Sequence, residues 1–107
     1  MEGSAGRRLE DKDLAAASKR AILVRMLHNL LNLSRNARDV DGSLRYLDAI
    51  LTLSPEGAEE RAMRALLRHQ AGRRQEALED VNWLLDHKPD GVDTERLLEF
   101  RRVLEGR

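Results

Sequence analysis

Residues 58–91 read AEERAMRALLRHQAGRRQEALEDVNWLLDHKPDG, and they follow a segment of equal length, residues 24–57, that has the same layout. Each segment contains two runs of apolar residues at three- and four-residue spacing, which is the pattern of an amphipathic helix. Pro55 and Pro89 lie at the same place in the two segments and end the second helix of each, because proline cannot donate the next backbone hydrogen bond. The pattern predicts a helix-turn-helix unit of 34 residues that occurs twice.

An overlay of the two segments without a gap places identical residues where such a unit is most constrained. The matches fall on the apolar stripe of each helix and at the terminators, and similar residues such as Leu47 and Val81 extend the same stripes. We therefore interpret the two segments as one structural unit used twice. The six identical pairs are Leu33 with Leu67, Ala37 with Ala71, Leu44 with Leu78, Leu51 with Leu85, Pro55 with Pro89, and Gly57 with Gly91.

The periodicity predicts an all-α fold with two stacked helix-turn-helix repeats, over about residues 24–57 and 58–91, and a C-terminal capping helix. Residues 1–12 are polar and lack periodicity, so we expect a mobile leader before one domain over residues 13–107. Asp93 is a suitable N-cap for the last helix, because a carboxylate accepts hydrogen bonds from the free N–H groups of a first turn. The five helices are predicted over about residues 14–37, 41–53, 58–71, 74–87 and 93–105.

Composition excludes several classes of function. The 107 residues are 41% hydrophobic and 36% charged, with 19 basic and 19 acidic side chains, so no overall field would attract nucleic acid or a membrane surface. The chain has no cysteine, which excludes disulfides, cysteine-ligated metals and a cysteine nucleophile. There is no long apolar run and no secretory signal, and we expect a cytoplasmic protein.

No motif points to catalysis. His28, His69 and His87 lie on different predicted helices without the spacing that lets two imidazoles bind one metal, and no phosphate-binding or dinucleotide loop is present. Acidic pairs such as Glu59-Glu60 and Glu79-Asp80 are typical of solvated helix faces. The sequence therefore predicts a protein that is not an enzyme and that binds no cofactor and no metal.

The repeat resembles the tetratricopeptide repeat. Residues 72–78, GRRQEAL, carry a glycine before the turn and an alanine five residues later, as that repeat does. Arg61, Arg64 and Arg68 depart from the pattern, because they stand where the standard repeat has a large apolar residue at the contact between its helices. The resemblance implies stacked helical hairpins that bind another protein or a peptide.

A longer resemblance covers residues 18–106. The segments ILVRMLHNL, LRYLD, LTLSP, RALL and LEFRR are similar to the tetratricopeptide tail of the bacterial SirB-type family, in which the tail follows a transglutaminase-like domain. That domain's chemistry needs a cysteine, so the resemblance implies an architecture and no active site. We predict a non-catalytic protein-interaction module; the alternative is an accessory or regulatory C-terminal portion of a transglutaminase-like protein.

Charge is sorted by element. Residues 61–74 hold five arginines and no acid, whereas residues 75–95 hold seven acids and one lysine. Arg61, Arg64 and Arg68 share one helical stripe, and either they pair with acids inside the repeat or they receive an acidic segment of a partner. RNA binding by this stripe is not expected, because no aromatic side chains lie among the arginines to stack on bases.

A second polar stripe follows the first helix at three- and four-residue steps. It is a candidate binding face because the first helix of each tetratricopeptide hairpin lines the concave groove. Three interpretations stay open: a solvated face, general peptide contact, or a clamp in which His28 and Asn32 hold a peptide carboxylate. The candidate binding residues of this stripe are Arg25, His28, Asn29, Asn32 and Arg35.

Trp83 lies off the apolar stripe of the fourth helix. Either it packs beneath a neighbouring helix or it is exposed as an anchor for a partner, since tryptophan is common among binding hot spots. We retain it as a candidate binding residue.

The first helix has no predicted neighbour on its outer side. Terminal faces of repeat proteins need a polar cap, yet Ala15, Ala16, Ile22 and Leu23 occupy this face. We expect it to be covered, either in a homodimer formed through the N-terminal helix or by another domain.

Overall fold

The computed structural model describes the backbone of residues 4–106 and the side chains of residues 18–106. Within that range the chain forms five helices and no strand, which confirms the predicted all-α fold. The helices are α1 (Ser4–Asn36), α2 (Val40–Leu53), α3 (Ala58–Gln70), α4 (Arg74–His87) and α5 (Thr94–Gly106).

Helices that follow one another in the chain also pack against one another. The pairs α1/α2 and α3/α4 form two hairpins, α2 packs on α3, and α5 closes the array against α4. Two apolar clusters hold this stack together. One joins α1, α2 and α3 around Leu31, Leu47 and Ile50, and the other joins α3, α4 and α5 around Ala65, Ala77, Val81 and Leu104.

The turns confirm that the two hairpins are equivalent. The turn after α1 and the turn after α3 use the same backbone hydrogen bonds, and both contain a residue with positive φ, Arg38 at 58° and Gly72 at 78°. Both prolines follow a residue whose N–H donates to the last turn of the preceding helix. The matching bonds run from Ala37 to Leu33, Arg38 to Arg35, Asp39 to Ser34 and Ser54 to Ile50, and from Ala71 to Leu67, Gly72 to His69, Arg73 to Arg68 and Lys88 to Leu84.

The matched turns give a stability prediction. Arg38→Gly is expected to raise the free energy of unfolding by about 1 kcal/mol, because a side chain is disfavoured at positive φ and glycine is not. Gly72→Ala is expected to lower it by about the same amount, since an added Cβ at Gly72 meets no atom within 4 Å and only the backbone conformation matters. Urea unfolding followed by circular dichroism measures both; shifts of the same sign would contradict the equivalence of the turns.

Helix starts differ from the prediction at two places. The first helix begins at Ser4 and not at residue 14, because Leu, Glu, Lys and Arg favour a helix even without apolar periodicity. The second begins at Val40, one residue before its predicted start, and the Asp39 carboxylate caps it by accepting a hydrogen bond from the Gly42 N–H. Residues 1–3 of the predicted leader lie outside the described residues, and the mobility of residues 1–12 stays a prediction.

The start of α5 is the one that the sequence predicts. The Asp93 carboxylate accepts hydrogen bonds from the backbone N–H groups of Glu95 and Arg96, at 3.1 and 3.3 Å. The cap satisfies free N–H groups in the first turn of α5, the helix that forms one wall of the groove described below.

Candidate functional site

An apolar groove lies between α3 and α5. It has a volume of about 550 Å³. Ala62 and Leu66 of α3 face Leu97 and Phe100 of α5 across it, and Leu66 is 51% exposed. The wall at Phe100 is held by an edge-on contact with the His69 ring, whose centroid lies 5.6 Å away. Its lining consists of Ala58, Glu59, Ala62, Ala65, Leu66, Asp90, Gly91, Val92, Asp93, Arg96, Leu97 and Phe100.

The rim of this groove is mainly acidic. Glu59, Asp90 and Asp93 are exposed there, and Arg96 is the one basic side chain in the lining, 3.6 Å from the Asp93 carboxylate. An apolar floor with acidic groups at its edge suits a segment that carries an apolar side chain next to a lysine or arginine.

The predicted polar stripe of α1 lies on the same side of the repeat stack. Arg25, His28, Asn32 and Arg35 stand one repeat before Glu59, Ala62, Leu66 and His69, so the stripe is the first-hairpin counterpart of the α3 groove wall. Most of its side chains are exposed, namely Arg25, Asn29, Asn32 and Arg35.

His28 is the exception, because both of its ring nitrogens have partners in the chain. Its Nδ1 lies 3.0 Å from the Val24 carbonyl oxygen and its Nε2 lies 2.9 Å from the Glu60 carboxylate of α3. Glu60 therefore occupies the place that the clamp interpretation gives to a peptide carboxylate. The half-buried Glu60 does not belong to a solvated acidic face, so that expectation is wrong for it.

Arg61, Arg64 and Arg68 converge on one buried carboxylate, that of Asp80 on α4. The Asp80 side chain is 1% exposed. Arg64 donates to it from two nitrogens, Nε at 2.9 Å and Nη2 at 2.7 Å, and Arg68 donates from Nη1 at 3.0 Å. Arg61 lies 3.8 Å away. The expectation that Glu79-Asp80 forms a solvated face is therefore wrong for Asp80.

A second carboxylate, on α2, joins the cluster from outside. Asp48 is 58% exposed and accepts a hydrogen bond from Arg64 at 2.8 Å. Three guanidinium groups thus face two carboxylates, so the cluster holds one more positive than negative charge. The contacts tie α3 to both α2 and α4.

The arginines of this cluster differ in their electrostatics. Burial lowers the pKa of Arg61, and the neighbouring Arg64 lowers it further, with Asp80 acting in the opposite direction. Burial also acts against the charge on Arg64, but the hydrogen bonds and the charge of Asp80, with those of Asp48, outweigh it and raise the pKa of Arg64. Arg64 is therefore the central member of the cluster.

The contacts with Asp80 are those of the first interpretation, pairing inside the repeat, whereas the contact with Asp48 joins the two repeats. The three arginine side chains are only 13–14% exposed, so they do not form an open stripe. The counterpart of Arg61 is Leu27 and that of Asp80 is Tyr46, and both pack against the apolar cluster of the first hairpin. The second hairpin has an ionic cluster where the first has an apolar contact, which explains the departure from the tetratricopeptide pattern.

Trp83 packs between side chains of its own hairpin. The Arg61 guanidinium lies 4.0 Å from the centre of the Trp83 ring, and the His87 ring stacks on it at 3.8 Å and 11°. The half-buried ring is covered by α3, as in the first of the two interpretations. Its use as a binding anchor stays a prediction.

Two features of the site escaped the sequence interpretation. The groove depends on how α5 packs beside α3, and a single sequence carries no signal for that. Asp80 does leave a signal: it stands three residues after Ala77 and four before Leu84, on the apolar stripe of α4, opposite a helix with three arginines. A lone carboxylate at such a position indicates a buried partner of opposite charge.

The described residues show neither a metal-binding cluster nor a membrane-spanning helix. No three His, Asp or Glu side chains there come together in a way that could hold a metal ion. No helix in the same part of the chain is long and apolar enough to cross a membrane.

A family model described as tetratricopeptide repeat matches residues 30–102, which include the last turns of α1, all of α2, α3 and α4, and most of α5. No curated protein and no solved structure matches the chain.

Proposed function

Because the chain belongs to the tetratricopeptide repeat family, we propose that it is a non-catalytic protein-interaction module that holds a partner segment in the groove between α3 and α5. The observation that carries the proposal is the exposed apolar floor of this groove beside an acidic rim. Repeats of this family generally act as binding modules, and an exposed apolar concavity edged by charge is typical of a peptide site.

The charges on the concave side suggest an orientation for the segment. The groove rim has Glu59, Asp90 and Asp93, whereas the polar stripe of α1 has Arg25 and Arg35. A segment lying across both hairpins would place a basic residue near α5 and an acidic residue near α1. Arg25, Asn29, Asn32 and Arg35 are proposed to give the polar contacts at the α1 end.

A selection from a random peptide library on the immobilised protein tests this proposal. The selected peptides are expected to share an apolar residue next to Lys or Arg. Leu66→Glu is expected to weaken their binding about tenfold or more, because it places a charge on the apolar floor. Fluorescence anisotropy measures the dissociation constants.

Arg45→Glu is the matched control, since Arg45 is an exposed residue of α2 that does not line the groove. Its affinity is expected to stay within about twofold of the wild type. Equal losses in both variants, or selected peptides without a basic residue, would contradict the proposed site.

The resemblance to the SirB-type tail supports a second proposal, an accessory or regulatory role beside a transglutaminase-like domain. It rests on the quoted segments, which lie in α1, in α2 and at its end, in α3 and in α5. The genomic neighbourhood tests it: the proposal requires a transglutaminase-like domain encoded upstream or nearby. The proposed setting is the cytoplasm of a bacterium.

A further inference from the structure

A row of apolar side chains on α1 is exposed to solvent. Its members recur at three- and four-residue steps, so they lie on one face of the helix. This face is separate from the polar stripe that contains His28 and Asn32. The row, which we name the apolar stripe, consists of Ile22, Leu23, Met26, Leu30 and Leu33, each between 40% and 64% exposed.

The second repeat shows what this face of the helix does. Met26, Leu30 and Leu33 correspond to residues of α3 that contact the preceding hairpin. Glu60 binds His28 at 2.9 Å, Arg64 binds Asp48 at 2.8 Å, and Leu67 packs on the apolar cluster of α1 and α2.

In α3 this face is therefore the contact with its helical neighbours. In α1 the same face is apolar and is left uncovered by the described residues. Exposed large apolar side chains grouped on one face indicate an interaction surface. By its place in the repeat, the surface suits a helix that lies alongside α1.

The charge near the apolar stripe indicates which kind of helix would bind there. Residues 14–36 of α1 contain no acid, and of their four basic residues Arg25 and Arg35 belong to the polar stripe, which leaves Lys19 and Arg20 near the apolar stripe. Lys19, which is exposed, stands three residues before Ile22 and four before Leu23, at the end of the stripe. Two copies of this face would bring like charges together, whereas a helix with acidic flanks would complement it.

We propose that the apolar stripe of α1 is the docking surface for an amphipathic helix of a partner protein whose apolar face is flanked by Asp and Glu. The chain already contains a small version of this contact, because Asp48 of α2 supplies an acid to the equivalent face of α3. The partner helix inserts apolar side chains between those of the stripe, and its acids lie near Lys19 and Arg20.

Two synthetic amphipathic helices with the same leucine stripe test the proposal, one flanked by glutamate and the other by lysine. Binding to the full chain is measured by fluorescence anisotropy. The glutamate-flanked helix is expected to bind about tenfold or more tightly than the lysine-flanked one. Equal affinities, or no binding of either helix, would overturn the proposal.

Variants of the chain locate the contact. Met26→Ser with Leu30→Ser is expected to weaken binding of the glutamate-flanked helix about tenfold or more, because two exposed apolar contacts are lost. Lys19→Glu is expected to reduce the preference for that helix. Val103→Ser, which changes an apolar residue 57% exposed on α5, is the matched control and should leave binding unchanged within about twofold.

Two further measurements show whether a partner helix or a second copy of the chain binds the apolar stripe. Sedimentation equilibrium of the wild type is expected to show a monomer at the concentrations of the binding assay. A dimer that the Met26→Ser, Leu30→Ser variant dissociates would assign the stripe to a second copy of the chain and overturn the proposal. Leu66→Glu, which alters the groove, is expected to leave binding at the stripe intact, so this proposal and that for the groove fail independently.

Discussion

Asp80→Asn is expected to lower the free energy of unfolding by about 3–5 kcal/mol, because it removes the buried negative charge that three arginines share. The asparagine has nearly the same shape, so the loss reports charge and not volume. A small domain is stable by about 5–15 kcal/mol, and the variant is therefore expected to unfold at a much lower urea concentration. Urea titration followed by circular dichroism measures the change.

Asp48→Asn is the matched control, because Asp48 binds the same Arg64 but is 58% exposed. It is expected to cost less than about 1 kcal/mol, as exposed ion pairs do. The two carboxylates thus separate the effect of burial from that of pairing. Equal losses in the two variants, or a loss below about 1 kcal/mol in Asp80→Asn, would show that the cluster does not carry the hairpin contact.

Residues taken from the first repeat are expected to restore the stability that is lost when Asp80 is replaced. Replacing Arg61, Arg64, Arg68 and Asp80 together with their first-repeat counterparts, Leu, Leu, Ser and Tyr, removes both signs of charge at once. Apolar replacement of a buried ion pair is often neutral or stabilising. The combined variant is expected to recover more than half of the stability that Asp80→Asn loses. Failure to recover would mean that the hairpins are not interchangeable at this contact.

The sequence predicts the repeat and its hairpins because their determinants are local. Apolar spacing marks the inner face of each helix, and Pro55 and Pro89 end helices whatever lies nearby. Even the turn at Arg38 is predicted correctly, although the residue there is not the glycine that positive φ favours. The sequence indicates this turn through the Asp and Gly residues of 38–42, which accept the backbone angles of a chain reversal.

The candidate site escapes the same reasoning because it arises from contacts between helices. Asp80 stands on the apolar stripe of α4 but also in an acidic run, and the packing of α3 on α4 shows which side chains bind it. The groove likewise needs Leu66 and Phe100 on opposite walls, and their separation in the chain leaves no periodic trace. Apolar spacing gives the inner face of each helix but not the partner of each polar side chain.

Leu104→Ala is expected to lower the free energy of unfolding by about 2–5 kcal/mol, because Leu104 is fully buried and its truncation leaves a cavity. The side chain of this α5 residue packs against Ala65, Ala77 and Val81 of the second hairpin. The side chains of Ala65, Ala77 and Val81 are too short to extend into the space. Urea unfolding measures the loss.

The adjacent Val103 is the control, since its side chain is 57% exposed and Val103→Ala is expected to change stability by less than about 0.5 kcal/mol.

Deleting residues 93–107 is expected to have a larger effect than Leu104→Ala, because it exposes the inner faces of α3 and α4 along their whole contact with α5. The shortened chain is expected to lose its cooperative unfolding transition and its groove together, since α5 supplies one wall. A shortened chain that still unfolds cooperatively would show that two hairpins are stable without the cap.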